Sequence, residues 1–475
     1  MLDGNDLLDA GYPEGPVLGH ALAVARSRPD ALGDEDTLRL LNAVREDPDL
    51  YTGHDDEAIA ALARAWEERT ARRDARQRQS VRDEPRPYET YGAEMIDANA
   101  RRQMDEAMQL PVAVAGALMP DAHLGYGLPV GGVLACENAV IPYAVGVDIA
   151  CRVMMSVYPE SEGYLAEHTD EVRSALTGET KFGAGPGFPK NERRRHAVLD
   201  DPAWEATPFL RSLKDTAHEQ LGTSGGGNHF IDAGLLEVGG DADRAGGLAP
   251  GRYLAVLTHS GSRGPGYQIA DRYSELAEES KPHLPESHRR LAWLSLDTER
   301  GREYWEAMQL AGRFASANHH VIHERVARRL GLQPALQVEN HHNFAFRETH
   351  PVDGEERELI VHRKGATPAG DGVLGLIPGS MGDVSYLVRG GGVAESLDSA
   401  AHGAGRRMSR TRAKKQISRE ERAAYLQRRG VELLGGGLDE APQAYKPIDE
   451  VMAAQRDLAA PVARFHPRLV LMASD

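Results

Sequence analysis

The sequence predicts an α+β fold. Short apolar runs broken by glycine and proline, Val112-Ala113-Val114 and Gly132-Val133-Leu134-Ala135, mark a β-rich region reaching about Tyr158. Stretches with apolar residues at helical spacing lie on either side of it, and the longest such pattern covers residues 298–332.

A chain of 475 residues is long enough for two or three domains and a large buried core. Its composition, 41% hydrophobic and 27% charged, is that of an ordinary soluble globular protein. Two cysteines exclude a disulfide scaffold and point to a reducing, cytoplasmic compartment. After Met1 no basic segment followed by an apolar one reads as a signal peptide, and no apolar run is long enough to predict a membrane span. The net charge of −17 excludes broad, non-specific binding to nucleic acid, because phosphate contacts need cations. A local basic groove is still compatible with that average. The strongest candidate is Arg406–Arg412 with Lys414 and Lys415, which on charge alone reads as a solvated helix face.

In chain order, residues 1–86 read as a helical, polar extension closing in a linker, ahead of a larger domain over residues 87–475. Asp34-Glu35-Asp36 is expected to cap a helix through Val44. His54-Asp55-Asp56 opens a longer helix through Arg76, whose apolar positions Ile59, Leu62, Ala63 and Trp66 fall at helical spacing. Arg69–Arg86 is charged and apolar-poor, which reads as a helix end and linker. A helix is expected over Tyr88–Leu110, then a glycine-turned loop over Met119–Gly127. Asp121 and His123 in that loop are either partners of a site or RNA, or a turn aspartate and a satisfied histidine. Residues 159–220 read as helices interrupted at Phe182–Pro189. His319, His320 and His323 sit at a spacing that mimics a metal motif, but their apolar surroundings favour structural roles. A further helix is expected over Ser418–Arg429, and no repeat of solenoid period is present.

The segments with visible chemistry are separate from one another. In Val145–Cys151, Asp148 and Cys151 place a carboxylate and a thiol three residues apart. A disulfide from Cys151 to Cys136 is conceivable, yet a metal centre shared with distant histidines explains more. In Gly222–Phe230, three consecutive glycines precede Asn228 and His229, as in loops that approach a nucleotide or metal. His259 ends an apolar strand and is followed by small residues and Arg263, which suits the lip of a site. His341 and His342 follow the long helix, and Arg363 and Lys364 are adjacent cations, a candidate phosphate clamp. A second glycine loop holds Pro378, Gly379, Ser380 and Met381 ahead of Ser385.

Taken together and in order, these segments resemble the RtcB family of RNA ligases. The matching stretches are MPDAHLGYGLPVGG from Met119, VGVDIAC from Val145, GGGNHF from Gly225 and HSGSRG from His259. HHNFA from His341, HRKGA from His362, IPGSMG from Ile377, HGAGRRMSR from His402 and EAPQAYK from Glu440 complete the series. The resemblance runs from about Tyr88 to Pro467 and leaves the first 85 or so residues outside. It implies central β-sheets surrounded by helices around a binuclear metal site. It also implies a GTP-dependent enzyme that joins RNA 3′-phosphate or 2′,3′-cyclic phosphate ends to 5′-hydroxyl ends, in RNA repair or tRNA splicing. Two Mn²⁺ ions would be held by Asp148, Cys151, His229, His259 and His342, with Cys151 bridging. His402 matches the nucleophile that carries GMP, a role suited to an imidazole, which is nucleophilic when neutral and a good leaving group when protonated. Asn228, Phe230, Asp232, Pro378, Gly379, Ser380, Met381, Ser385, Ala404, Gly405 and Tyr445 match nucleotide contacts. Arg363, Lys364, Arg406 and Arg410 would face phosphates or the RNA end, and an activating protein partner fits the same reading.

The sequence departs from the family pattern in three respects, one being an acidic average surface with a helical N-terminal extension, which suggests a divergent branch with a restricted substrate such as one damaged RNA. The family's closing Lys-Gly pair, whose lysine contacts guanine, is replaced by Val470–Asp475, so guanine selectivity is either relaxed or passed to another residue. Asp232 stands where a glutamate commonly reads the guanine edge. Two alternatives follow: an enzyme that caps 3′-ends or only hydrolyses cyclic phosphates, and an RNA-end binding protein without catalysis.

Overall fold

Ile59, Leu62 and Ala63 fall on one face of the helix Glu57–Arg78 and bury it against Leu7, Val17, Ala21, Leu41 and Val44. Those residues come from the helices Gly4–Asp9, Pro16–Ser27 and Asp34–Glu46. In this computed structural model, which describes residues 2–27, 33–183, 185, 187–239 and 245–473, the four helices lie in a unit spanning Met1–Val81. Asp34, Glu35 and Asp36 occupy the first helical turn, behind Gly33 as N-cap. They therefore act on the helix dipole rather than as caps. Much of the stretch expected as a linker continues this unit's last helix to Arg78.

The second unit, Arg82–Asp475, is built on two large sheets. The smaller has five strands, in the order Glu89–Thr90, Ala113–His123, Val130–Cys136, Glu355–Lys364 and Asn343–Val352. The larger runs Leu374–Ile377, Ser385–Gly390, Ala459–Met472, Phe230–Val238, Gly251–Ser260, Arg152–Ser161 and Leu336–His341, with Glu432–Gly435 paired beside Ala459–Met472. The chain crosses from the larger sheet to the smaller at one residue, His342, between the strands Leu336–His341 and Asn343–Val352.

Behind the larger sheet lies the helix Glu299–Leu330. Thr298 caps its start by accepting from Gly301 N at 3.1 Å, and Gly331 ends it with φ +68°, a left-handed turn that favours glycine. Its apolar face buries Tyr304, Met308, Phe314 and Val321 in one core cluster and Ile322 and Val326 in another. Each such side chain contributes about 1.5–3 kcal/mol when fully buried.

Two expectations for the start of this unit change. The helix expected over Tyr88–Leu110 is confined to Ala98–Met108, because Gly92 turns the chain with φ +62° and Asp97 caps a new start. The loop expected at Met119–Gly127 is instead strand as far as His123, with a register break between Leu118 and His123. Cys136 and Cys151 are both free and buried, so no disulfide joins them. Ala184 and Pro186 of the interrupted helical region, and the closing Ser474 and Asp475, lie outside the described residues. Among the described residues no helix is long and apolar enough to cross a membrane.

Candidate active site

Adjacent strands of the larger sheet end side by side, and their ends carry the chemistry. His229 precedes Phe230–Val238, His259 lies on Gly251–Ser260, Cys151 precedes Arg152–Ser161 and His342 follows Leu336–His341. Register brings them level: His259 is opposite both Phe230 and Val153, and His341 is opposite Arg152. Asp148 joins through the turn before Cys151, where Ala150 takes φ +57° and Cys151 N bonds Asp148 O at 3.2 Å. A side chain at Gly261 would collide with the Asp148 carboxylate, so glycine is required there.

The donor atoms form two groups that share Cys151: Cys151, His259 and His342, and Asp148, Cys151 and His229, each within 4.8 Å. Cys151 Sγ lies 3.1 Å from His259 Nε2 and 3.5 Å from His229 Nε2. His259 Nε2 lies 3.2 Å from His342 Nε2, and His229 Nε2 lies 3.0 Å from an Asp148 oxygen. The far nitrogens settle the tautomers. His229 Nδ1 faces Ser224 O at 2.7 Å and His259 Nδ1 faces Asn228 O at 2.9 Å, so each Nδ1 donates and each Nε2 turns a lone pair inward. The lone pairs of His229 and His259, a carboxylate and a sulfur thus converge, and such a set fits divalent cations.

Electrostatics agree with that fit. Burial, with the His229 ring beside it, pushes the His259 pKa down to about 3, and burial also holds His342 well below its ordinary value. Both rings are therefore neutral and free to ligate. Burial and the Asp148 charge push the Cys151 thiol up, and cations at this point reverse that by favouring thiolate. Burial works against ionisation of Asp148, but its surroundings, the Arg263 charge among them, hold its pKa below the ordinary value.

His402 stands beside this cluster, its ring 4.9 Å from that of His342. It follows the short strand Ser399–Ala401, and its Nδ1 meets Asp121 Oδ2 at 2.7 Å. Asp121, whose role the sequence left open, is fully buried and aims at this ring. Other expected nucleotide contacts gather nearby. Phe230 lies 5.5 Å from the His259 ring and shares a core cluster with Met381. A side chain at Gly403 would touch Pro378 O, and Gly379 N bonds Ser385 Oγ at 3.2 Å. Asp232, buried and pushed well above the carboxylate range by burial, leaves Oδ1 without a partner.

The expected phosphate cations divide. Arg363 is fully buried, bidentate to Glu348 at 2.8 and 2.9 Å, and bonded to Ser399 and Leu397. Lys364 is buried on the carbonyls of Tyr126 and Tyr143. Neither is free for phosphate; both hold strands and loops together, because a buried cation must spend its donors inside the fold. Arg406 is largely engaged with Glu440, Asp439 O and the Tyr445 ring. Arg410 is half exposed, lies 3.2 Å from Glu440 and borders Gly227 of the glycine loop. A fifth cation was placed from sequence only at the lip of a site. Arg263, at φ +55°, packs against Gly225 and bonds Thr223 at 3.2 Å, close enough for its charge to act on Asp148 and Cys151. Its place directly after His259-Ser260-Gly261-Ser262 was the available signal.

A family model described as tRNA-splicing ligase RtcB matches residues 103–473. The chain is 37% identical over 393 residues to RNA-splicing ligase RtcB of Escherichia coli strain K12, covering 76% of this chain and 91% of that protein. It is 34% identical over 421 residues to tRNA-splicing ligase RtcB of Nanoarchaeum equitans, covering 74% of this chain and 87% of that one. RNA-splicing ligase RtcB of Mycobacterium tuberculosis is 32% identical over 417 residues, covering 74% and 95%.

Proposed function

The chain belongs to the RtcB family and is an RNA ligase, and from that premise we propose that it joins RNA 3′-phosphate or 2′,3′-cyclic phosphate ends to 5′-hydroxyl ends, using GTP and two Mn²⁺ ions. The observation that carries the reading is His402 held by Asp121 at 2.7 Å beside a donor cluster centred on Cys151. With Nδ1–H directed at a carboxylate, His402 keeps its reactive lone pair on Nε2. Nε2 attacks the α-phosphorus of GTP, forming an N–P bond as the bond to pyrophosphate breaks, and Asp121 stabilises the charge the ring acquires. A 2′,3′-cyclic end is first hydrolysed by water, which breaks its bond to the 2′-oxygen; an oxygen of the RNA 3′-phosphate then takes the guanylate, and the lone pair returns to Nε2. Attack of the 5′-hydroxyl on that activated phosphate forms the new phosphodiester and releases GMP.

Cys151 would bridge the two ions, with His259 and His342 on one and Asp148 and His229 on the other. When bound there, the ions neutralise charge on phosphate oxygens. Asn228, Phe230, Asp232, Pro378–Met381, Ser385, Ala404, Gly405 and Tyr445 would hold the nucleotide. The unpartnered Oδ1 of Asp232 supports this, since it supplies an acceptor for a base N–H. Arg410 and Arg263 would meet phosphate.

Incubation with Mn²⁺ and α-labelled GTP should label the protein, and His402→Ala should abolish the label. An unlabelled wild-type chain would overturn the reading. A parallel incubation with ATP measures base choice. RNA carrying a 3′-phosphate and a 5′-hydroxyl distinguishes joining from capping alone.

A further inference from the structure

We propose that Lys446 is a positioning residue for His402, tying the loop that carries this histidine to the strand that carries Asp121. The inference rests on the reading of His402 as the guanylate carrier. His402 and Asp121 are 281 residues apart in sequence and meet through a single 2.7 Å hydrogen bond. Regular sheet pairing does little to fix that meeting. Asp121 lies in the register break between Leu118 and His123, so Pro120–Ala122 have no ladder partner on the neighbouring strand Val130–Cys136.

Lys446 fills the gap from both sides. Its backbone N donates to Gly405 O at 2.9 Å, three residues beyond His402. Its Nζ donates to Pro120 O at 2.9 Å and Ala122 O at 2.8 Å, the two carbonyls that flank Asp121. Gly405, at φ +71°, packs so closely on the Asp121 backbone that any side chain there would collide with it. Lys446 is 8% exposed, and its burial lowers its pKa while the Asp121 charge opposes the shift. A methionine would fill the same volume without burying a charge. What the lysine adds is the pair of directed N–H bonds.

Without those bonds the Asp121 backbone is free to shift, and displacements of about 1 Å can slow a chemical step about 100-fold without touching binding. Lys446→Met should therefore lower the single-turnover guanylylation rate roughly 100-fold. The KM for GTP should stay within about threefold, because uniform binding is not what is lost. In the full chain with ring-¹⁵N-labelled histidine and no added metal, wild type should show a low-field Nδ1–H signal that Asp121→Asn lacks. Lys446→Met should shift or lose that signal. Lys446→Arg, which restores donors, should recover it together with most of the rate. Added to Asp121→Asn, Lys446→Met should cost little more. A Lys446→Met chain that keeps both signal and rate overturns the proposal. If that variant does not fold, Lys446→Arg and Lys446→Gln decide through the same signal. Should wild type accept no guanylate, the reading of His402 fails, and the signal still judges the tie.

Discussion

Thr258 and His259 are neighbours on one strand and face opposite sides of the larger sheet, and each side holds buried histidines. Behind the sheet, Thr258 Oγ1 meets His319 Nδ1 at 2.7 Å and His323 Nε2 at 2.8 Å, and Ser156 Oγ meets His323 Nδ1 at 2.8 Å. In front, His259 Nε2 meets Cys151 at 3.1 Å and His342 Nε2 at 3.2 Å. Burial depresses the pKa of both sets alike, His323 and His259 each to about 3. Depth and titration therefore do not separate them; the partner does. His323, whose two ring nitrogens both meet hydroxyls, is complete within the fold, whereas histidines that face one another and a thiol form the donor set proposed for a cation. The arginines divide in the same way, Arg363 answered by Glu348 and Arg410 half exposed.

The contrast is broken most severely at Cys151. Cys151→Ala should remove the donor common to both groups, lowering metal affinity well beyond the roughly 10–100-fold typical of lost supporting contacts. Titration calorimetry with Mn²⁺ measures it, and guanylylation should vanish with the metal. On the satisfied side the loss should fall on stability instead. Arg363→Met leaves Glu348 with His350 as its remaining partner and should cost about 3 kcal/mol in denaturant unfolding, with metal affinity retained. His323→Leu should cost less, about 1–2 kcal/mol for the two buried hydrogen bonds lost, again with metal bound normally. If His323→Leu abolished metal binding with the fold intact, the division between the two faces would be wrong. The smallest effect is on pH. Burial alone would raise the Glu348 pKa, but hydrogen bonds from His350 and Arg363 bring it down to about 2 from 4.5. Its contribution to stability should be complete above the unfolded value near 4.5 and drain away as pH falls toward 2. Arg363→Met should flatten that part of the acid-unfolding curve.

The fold class and the main motifs were legible because each rests on local pattern. Gly222–Phe230 and His402–Arg410 combine glycines with a reactive side chain, and the helix Glu299–Leu330 follows apolar spacing over its whole length. Partner identity was not legible, since it depends on register between distant strands. His319 and His323 show metal-like spacing on one helix, while the proposed donors are scattered from Asp148 to His342. Arg363 and Lys364 read as a phosphate clamp because nothing local announces that Glu348 and two distant backbone carbonyls will take their donors. Asp121 was ambiguous for the same reason, as its partner lies 281 residues away. Lys446 had no signal beyond its place at the end of a motif.

The central claim is that Cys151 joins two metal positions into one centre. Titration of the full chain with Mn²⁺, followed by electron paramagnetic resonance, tests it most directly. Two ions per chain with a spin-coupled spectrum are predicted, and the coupling should disappear in Cys151→Ala. A single bound ion, or two ions whose spectra stay independent in wild type, would contradict the account.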